Sequence, residues 1–264
     1  MIRAYKKLGQ TPLELIDELR RQNPDLKNQK LSYAGRLDPM AEGQMIIMVG
    51  DLENKNRQKF LNADKLYEAD ILVGFSTDSY DALGVVETNI FNNSVHEQVV
   101  KLDNNSNREI FYKDLKKALR KIKQIDEIKY PHFSSKTASG KPLWQWKKEG
   151  LINQIEIPSR QIKIKKIKVL ENQSILGTDL INYLKTTISK INGDFRQEEI
   201  IKSWENEVDK SKKYQVIKIK CKVSSGTYIR SLVNELSNEL GVPCCLLKLN
   251  RKKVYSGIIY KLFR

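Results

Sequence analysis

A single acidic side chain, Asp38, is held in the sequence between two glycines and directly before a proline. The segment 33–43 reads Tyr-Ala-Gly-Arg-Leu-Asp-Pro-Met-Ala-Glu-Gly and is followed almost at once by the apolar run 45–49. Pro39 fixes its own φ and keeps Asp38 out of the helical region, while the flanking glycines permit backbone angles or close approaches that a Cβ would prevent. The pattern predicts a rigidly presented carboxylate beside a buried strand. An isolated Leu-Asp-Pro turn is also a common structural element.

Composition limits the classes of protein and site that fit this chain. Its 264 residues can bury a substantial core, as one large domain or two small ones. The formal net charge of +15 favours a polyanionic partner, although a solvated lysine-rich surface would have the same composition. The three cysteines and two histidines are not spaced like metal ligands, so we expect no bound metal. Three cysteines are also too few for a disulfide framework, which indicates a reducing compartment. No apolar run could span a bilayer, so we expect a soluble, cytoplasmic protein without membrane contact.

Residue periodicity predicts a mixture of helices and strands. Predicted helices begin at the capping box 11–14, cover 111–122, and run from Arg230 to a C-terminal Gly241. Predicted strands are 45–49, 66–73 with one face inward, 162–169 and 217–223.

Three further segments are less regular. Lys218, Lys220 and Lys222 place three ammonium groups on one strand face, for which RNA contact and simple solvation are equally good interpretations. Residues 171–213 contain two helix-like pieces, around 179–191 and 197–208. The asparagine-rich stretch 92–108 has little pattern.

Five blocks, in the same order along the chain, resemble the TruB family of tRNA pseudouridine synthases. The loop Gly-Arg-Leu-Asp-Pro-Met-Ala-Glu-Gly is similar to the family's nucleophile loop, and Ser-Gly-Thr-Tyr-Ile-Arg-Ser-Leu at 225–232 nearly reproduces another family motif. Three blocks remain. The first is Lys7 to Thr11, and the last is Pro131 to Gly150. The middle block is Lys65 to Ala69 together with the residues that follow it, Gly74, Thr77, Asp78, Asp81 and Gly84. The five blocks lie between Lys7 and Leu232, and the resemblance as a whole extends over residues 5–251.

The resemblance implies an α+β pseudouridine synthase fold, in which helices flank a mixed, largely antiparallel sheet around a central RNA-binding cleft. It implies isomerisation of uridine to pseudouridine in the T-loop of tRNA, at position 55 in tRNA numbering, through a catalytic aspartate that matches Asp38. No small-molecule cofactor is expected. The expected partner is the T-arm of tRNA, bound by a monomer.

The resemblance also assigns the substrate-binding residues. Arg230 would pair with Asp38, because a carboxylate in a closed pocket stays ionised only near a cation, and an arginine fork fits it. Tyr67 would stack on the flipped base, replacing lost stacking of about 1 to 3 kcal/mol. The remaining candidates are Tyr228 and Leu249 as pocket walls, Tyr33 at the position of a family histidine that wedges into the RNA loop, and Lys7 for phosphate.

The chain departs from the family pattern in places. Arg36 and Glu42 replace smaller residues beside the nucleophile, and after the 246–251 block we expect no RNA-binding PUA domain, which bacterial relatives carry there. We therefore expect a single catalytic domain over residues 1–264, with a helical insertion at 171–213. Two modes of tRNA recognition stay open: the insertion and the basic surface compensate for the PUA domain, or the enzyme relies on the T-arm alone.

Two other functions stay open at this point. One is a non-catalytic tRNA-binding or tRNA-folding protein on the same scaffold, against which the joint presence of Asp38, Tyr67 and Arg230 argues. The other is a synthase acting on another RNA, because target choice depends on surface shape. The sequence does not choose between attack on the sugar, attack on the base, and a glycal route.

Overall fold

A seven-stranded sheet forms the centre of the molecule. The computed structural model describes residues 1–87 and 105–255, with the side chains of 105–108 left aside. Its strands are β1 (Ile2–Lys6), β2 (Leu31–Ala34), β3 (Ala41–Val49), β4 (Asp64–Val73), β5 (Glu127–Lys129), β6 (Thr137–Ala138), β7 (Lys141–Pro142), β8 (Ser159–Gln161), β9 (Ile164–Leu176), β10 (Lys213–Val223) and β11 (Cys244–Tyr255).

The large sheet has the order β1-β3-β11-β4-β10-β9, and β2 also pairs with β3. Strand β11 is parallel to β3 and antiparallel to β4, and the other pairings in this sheet are antiparallel. Two small sheets, β5-β8 and β6-β7, lie apart from it. The expected mixed and largely antiparallel sheet is confirmed.

Eight α-helices are found within the described residues, and most follow the predicted patterns. They are α1 (Pro12–Gln22), α2 (Gly50–Lys55), α3 (Arg57–Leu61), α4 (Asn105–Ile122), α5 (Leu143–Lys148), α6 (Gly177–Ile188), α7 (Gln197–Glu207) and α8 (Ile229–Leu240). The predicted capping box is present, because Glu14 N donates to Thr11 Oγ1 and Thr11 N donates to Glu14 Oε2. Gly241 ends α8 in the left-handed conformation, with φ of 65°, as predicted.

Both faces of the sheet are covered by helices. On one face α1, α4 and α8 pack over the inward residues of β3, β4 and β10. On the other face α6 and α7 pack over Leu72, Val216 and Leu247. The prediction that β4 has a single inward face is therefore wrong for its second half, because the α6 and α7 helices bury Leu72 completely.

The segment 171–213 is a helical hairpin on a lengthened strand pair. Its first six residues continue β9 as far as Leu176, which pairs with Lys213 of β10, so the helical part is shorter than predicted. The two predicted helices are present as α6 and α7. The asparagine-rich stretch 92–108, whose sequence has little pattern, lies mostly outside the described residues. Within the described ranges, no helix is long and apolar enough to cross a membrane.

Candidate active site

The loop that carries Asp38 is fixed from below by a buried arginine of β11. Arg251 Nε donates to Gln44 O at 2.7 Å, and its two terminal nitrogens donate to Arg36 O at 3.2 Å and Gly35 O at 3.3 Å. Gly43, with φ of 120°, pairs with Arg251 across the parallel β3–β11 contact. Both ends of the loop are thus held by one residue that lies more than two hundred positions away in the sequence.

Asp38 and Arg230 form the predicted ion pair. Arg230 Nε donates to Asp38 Oδ2 at 2.9 Å, and Arg230 Nη2 lies 2.9 Å from the same oxygen. The Asp38 side chain is 39% exposed, whereas the Arg230 side chain is 5% exposed. A buried, permanently charged group therefore presents a carboxylate that remains accessible from solvent.

Three further acceptors surround the Arg230 guanidinium. Nη1 donates to Ser79 O at 3.0 Å and Nη2 donates to Phe133 O at 3.2 Å. Asp81 Oδ2 lies 3.4 Å from Nε. Burial by itself lowers the pKa of Arg230, but the carboxylates of Asp38 and Asp81 outweigh that effect and raise it. The Arg230 guanidinium is fixed in position because its N–H groups face four different acceptors.

Asp81 is a second, buried carboxylate in the same site. Ser79 Oγ donates to Asp81 Oδ1 at 2.7 Å, and Leu83 N donates to the same oxygen at 3.0 Å. Burial raises the pKa of Asp81 to about 6, although Arg230 and these hydrogen bonds act in the opposite direction.

A cavity of about 370 Å³ opens above the ion pair. Asp38, Asp81 and Arg230 line it together with the aromatic residues Phe133, Trp144 and Phe195. A cavity that combines charged groups with aromatic rings can bind a flat polar ligand such as a nucleobase.

The structure places the other predicted residues at different distances from this cavity. Leu249 lines a small adjoining recess together with Asp38. Tyr67 is buried beneath the loop, and burial raises the pKa of its phenol, with Asp38 contributing in the same direction. Tyr228 lies beside the ion pair, because the Arg230 guanidinium carbon is 5.9 Å from its ring centre. Neither tyrosine lines the cavity in this structure.

Tyr33 and Lys7 are less closely connected to the cavity. Tyr33 lies on β2, pairs with Ile47 and is packed against the core. Lys7 Nζ lies 2.8 Å from Glu18 Oε1 on an exposed surface. A phosphate contact from Lys7 would therefore have to compete with this carboxylate.

Each lysine on the β10 face has an acidic neighbour, although Glu68 and Asp64 are each shared with a second lysine, Lys252 at 3.8 Å and Lys165 at 2.5 Å. Lys218, Lys220 and Lys222 pair with Glu171 at 3.3 Å, Glu68 at 2.9 Å and Asp64 at 3.8 Å. The surface stays positively charged, and both interpretations, RNA contact and simple solvation, remain open.

Sequence reasoning left four residues out of the site. The sequence assigns no role to Asp81, which lies in one of the blocks that resemble the family, and within 246–251 it singles out Leu249 and not Arg251. Phe195 and Arg196 belong to the connection between α6 and α7, and periodicity predicts the two helices without indicating how they are connected. Only the three-dimensional pairing of distant segments identifies these four residues.

A sequence profile described as "TruB family pseudouridylate synthase (N terminal domain)" matches residues 23–193, more than half of the chain. The chain belongs to the TruB family. Membership confirms the expected family and, with the observed mixed sheet, the expected pseudouridine synthase fold. The range matched to the TruB profile includes Asp38 and Asp81 and stops shortly before Phe195.

Curated relatives of this TruB family chain share its sequence at moderate identity. The tRNA pseudouridine synthase B of Fusobacterium nucleatum is 28% identical over 90% of this chain and 63% of its own length. That of Caldicellulosiruptor saccharolyticus is 27% identical over 94% of this chain and 64% of its own length. The chain thus spans less than two thirds of the length of either relative. A solved Cbf5-Nop10-Gar1 complex aligns with 96% of this chain and 48% of its own chain, with 17% identity and a TM-score of 0.49.

Proposed function

We propose that this protein isomerises uridine to pseudouridine in the T-loop of tRNA, at position 55. The observation that carries the proposal is the solvent-accessible Asp38 carboxylate, which lines a cavity and is fixed by the buried Arg230. The TruB relatives named tRNA pseudouridine synthase B support the same reaction. A tRNA substrate accords with the net charge of +15 and with action in the cytoplasm.

The reaction needs few groups. The bond between C1′ of the ribose and N1 of uracil breaks, the base turns, and C1′ joins C5, while C5 gives up a proton and N1 gains one. Atoms and electrons balance without a cofactor. Asp38 attacks the sugar or the base, or assists proton loss from the sugar, and Arg230 keeps its carboxylate ionised and oriented.

Buried donors and acceptors hold the catalytic pair before substrate arrives. Arg230 is tied to Ser79 O and Phe133 O, and the Asp38 loop is tied to Arg251. Little reorganisation is then needed when a uridine enters, which is the condition for effective electrostatic catalysis. We also propose that the enzyme acts as a monomer.

A flipped uridine would lie over Asp38, inside the cavity. Leu249 lines the recess beside Asp38, and Tyr228 lies beside Arg230. We propose that these two residues and Tyr67 contact the base or the ribose after small side-chain movements. Tyr33 and Lys7 would contact the RNA farther from the reacting atoms.

Incubation of the protein with an unmodified tRNA transcript tests the proposal. Pseudouridine is mapped by carbodiimide adducts and primer extension, with Asp38→Asn as the inactive variant and Asp51→Asn, exposed on α2, as the matched control. A stop at the T-loop uridine with wild type and Asp51→Asn, but not with Asp38→Asn, is expected. Tight binding without any stop would indicate a non-catalytic RNA-binding protein, and a stop only in another RNA would indicate a different target.

A further inference from the structure

The α6–α7 hairpin supports the loop that holds Arg230 in place. Trp204 of α7 is fully buried, packs against Phe75 with ring centres 5.1 Å apart, and donates from Nε1 to Ala82 O at 3.2 Å. Met40, two residues after Asp38, belongs to the same buried cluster. The insertion is thus part of the core beneath the catalytic loops.

The connection between the two helices reaches the cavity itself. Asp194, Phe195 and Arg196 line the cavity together with Asp38 and Arg230. Phe195 is 37% exposed, so its ring is not used as a core side chain. An exposed aromatic ring on the wall of a cavity proposed to receive RNA offers a face on which a base can stack.

The backbone around Phe195 is ordered by local hydrogen bonds. The Gln197 side chain donates to Gly193 O at 2.6 Å and to Ile191 O at 3.1 Å, and it accepts from Phe195 N at 2.9 Å. The Phe195 ring packs over Gly193, where a Cβ would lie 3.3 Å from the ring edge. This wall is therefore preorganised and presents the ring in a fixed direction.

Arg196 ties the connection to the two segments that position Arg230. Its guanidinium donates to both oxygens of Asp78, at 2.8 Å and 3.3 Å, and its Cζ lies 4.3 Å from the centre of the Phe133 ring. Arg196 also adopts a left-handed backbone conformation with φ of 61°, which is unfavourable for a residue with a Cβ. Such a conformation persists only where the surrounding contacts enforce it.

We propose that the α6–α7 connection forms part of the RNA-binding site, with Phe195 stacking on a nucleobase beside the target uridine. Arg196 is a positioning residue that holds Phe195 at the cavity wall. The inference rests on the proposed function and adds to it a contact that lies beyond the residues matched by the TruB profile.

Binding is measured in the Asp38→Asn background, which separates it from turnover. We expect Phe195→Ala to raise the Kd for an unmodified tRNA transcript about 5- to 30-fold, in the range of one lost base–aromatic contact. Phe195→Tyr should stay within about twofold of the parent, because it keeps the ring. Leu176→Ala, which truncates an apolar side chain of similar exposure elsewhere in the same insertion, is the matched control and should leave the Kd unchanged.

Arg196 is tested by a double-mutant cycle. Arg196→Gln should also raise the Kd, and adding it to Phe195→Ala should bring no further loss, because Arg196 acts through Phe195. Additive losses would contradict the positioning role. A Kd for Phe195→Ala equal to that of the control would overturn the stacking contact.

The two proposals fail in different ways. Pseudouridine formation by the protein with Asp38 intact tests the proposed reaction. The ratio of the Kd of Phe195→Ala to the Kd of its parent tests the proposed stacking contact of Phe195. An unchanged Kd ratio with normal turnover would refute the Phe195 stacking contact and support the proposed enzyme activity. A raised Kd ratio without any turnover would support the stacking contact and refute the enzyme activity. A parent protein that binds no tRNA would refute both proposals.

Discussion

The carboxylate of Asp81 lies 3.4 Å from Nε of Arg230, the same nitrogen that donates to Asp38. One guanidinium therefore binds two carboxylates with different access to solvent, because Asp38 opens to the cavity and Asp81 is buried. Their different burial gives the two acids different roles: Asp38 can meet a substrate, and Asp81 orients the arginine.

We expect Asp81 to make the free energy of unfolding depend on pH. Burial raises its folded-state pKa from 3.8 to about 6, so in this window the folded protein keeps a proton that the unfolded chain has released. The stability due to this group is full below the unfolded pKa and is lost as pH rises through the folded one. Urea unfolding of wild type and Asp81→Asn checks this, because the stability of wild type relative to the variant should fall across the window. A constant difference would contradict it.

Arg230→Lys should lower the rate of pseudouridine formation by about 100-fold or more, in the range seen when a preorganised donor is lost. One ammonium cannot reach Asp38, Ser79 O and Phe133 O in the geometry of the fork. Single-turnover rates measure the effect, and the Kd for RNA should change little. Arg120→Lys, on the exposed face of α4, is the control, and equal rates for the two variants would exclude the proposed role of the fork.

Gly43→Ala should destabilise the fold by about 2 to 4 kcal/mol, because it combines backbone strain with a steric overlap. At φ of 120°, an added Cβ would overlap the Arg251 carbonyl oxygen and lie 2.6 Å from the Arg251 nitrogen. Gly140→Ala is the matched control, since Gly140 has φ of 86° but no neighbour within 4 Å. Chemical denaturation should show the smaller loss for Gly140→Ala, and equal losses would mean that the overlap is relieved.

Arg251→Lys should reduce both stability and turnover. The substitution leaves two of three backbone carbonyls around the Asp38 loop without a donor, at about 1 to 3 kcal/mol for each buried group. The loop ends at Gly35 and Gln44 would then be less firmly held. Thermal unfolding and single-turnover rates measure the two effects, again against Arg120→Lys. A destabilised variant with an unchanged rate at low temperature would show that the loop keeps its geometry without Arg251.

Local sequence signals were sufficient to predict several helix ends, and family motifs were sufficient to predict the Asp38–Arg230 ion pair. The capping box at Thr11 and the left-handed Gly241 follow from contacts within a few residues, so the sequence predicts them directly. The Asp38–Arg230 pair joins residues 192 positions apart. It could be predicted only because both ends carry motifs that resemble one family.

Long-range burial could not be predicted in the same way. Leu72 reads as an outward residue in the alternation of β4, and only the packing of α6 and α7 makes it inward. Arg251 and Asp81 are charged, and charged residues are usually exposed, so their burial is decided by partners on distant strands and loops. The α6–α7 connection has no periodicity from which a contact with the cavity could be inferred.

The position of β11 between β3 and β4 has a consequence for the order of assembly. During synthesis, the ribosome completes the Asp38 loop long before it adds Arg251, whose side chain binds the backbone at both ends of that loop. An emerging chain that has passed Asp38 therefore still lacks the strand that closes the sheet beneath it. Because such distant pairings form slowly, we expect the Asp38 carboxylate to reach its final geometry only in a late step of folding, after nearly the whole described chain has been translated.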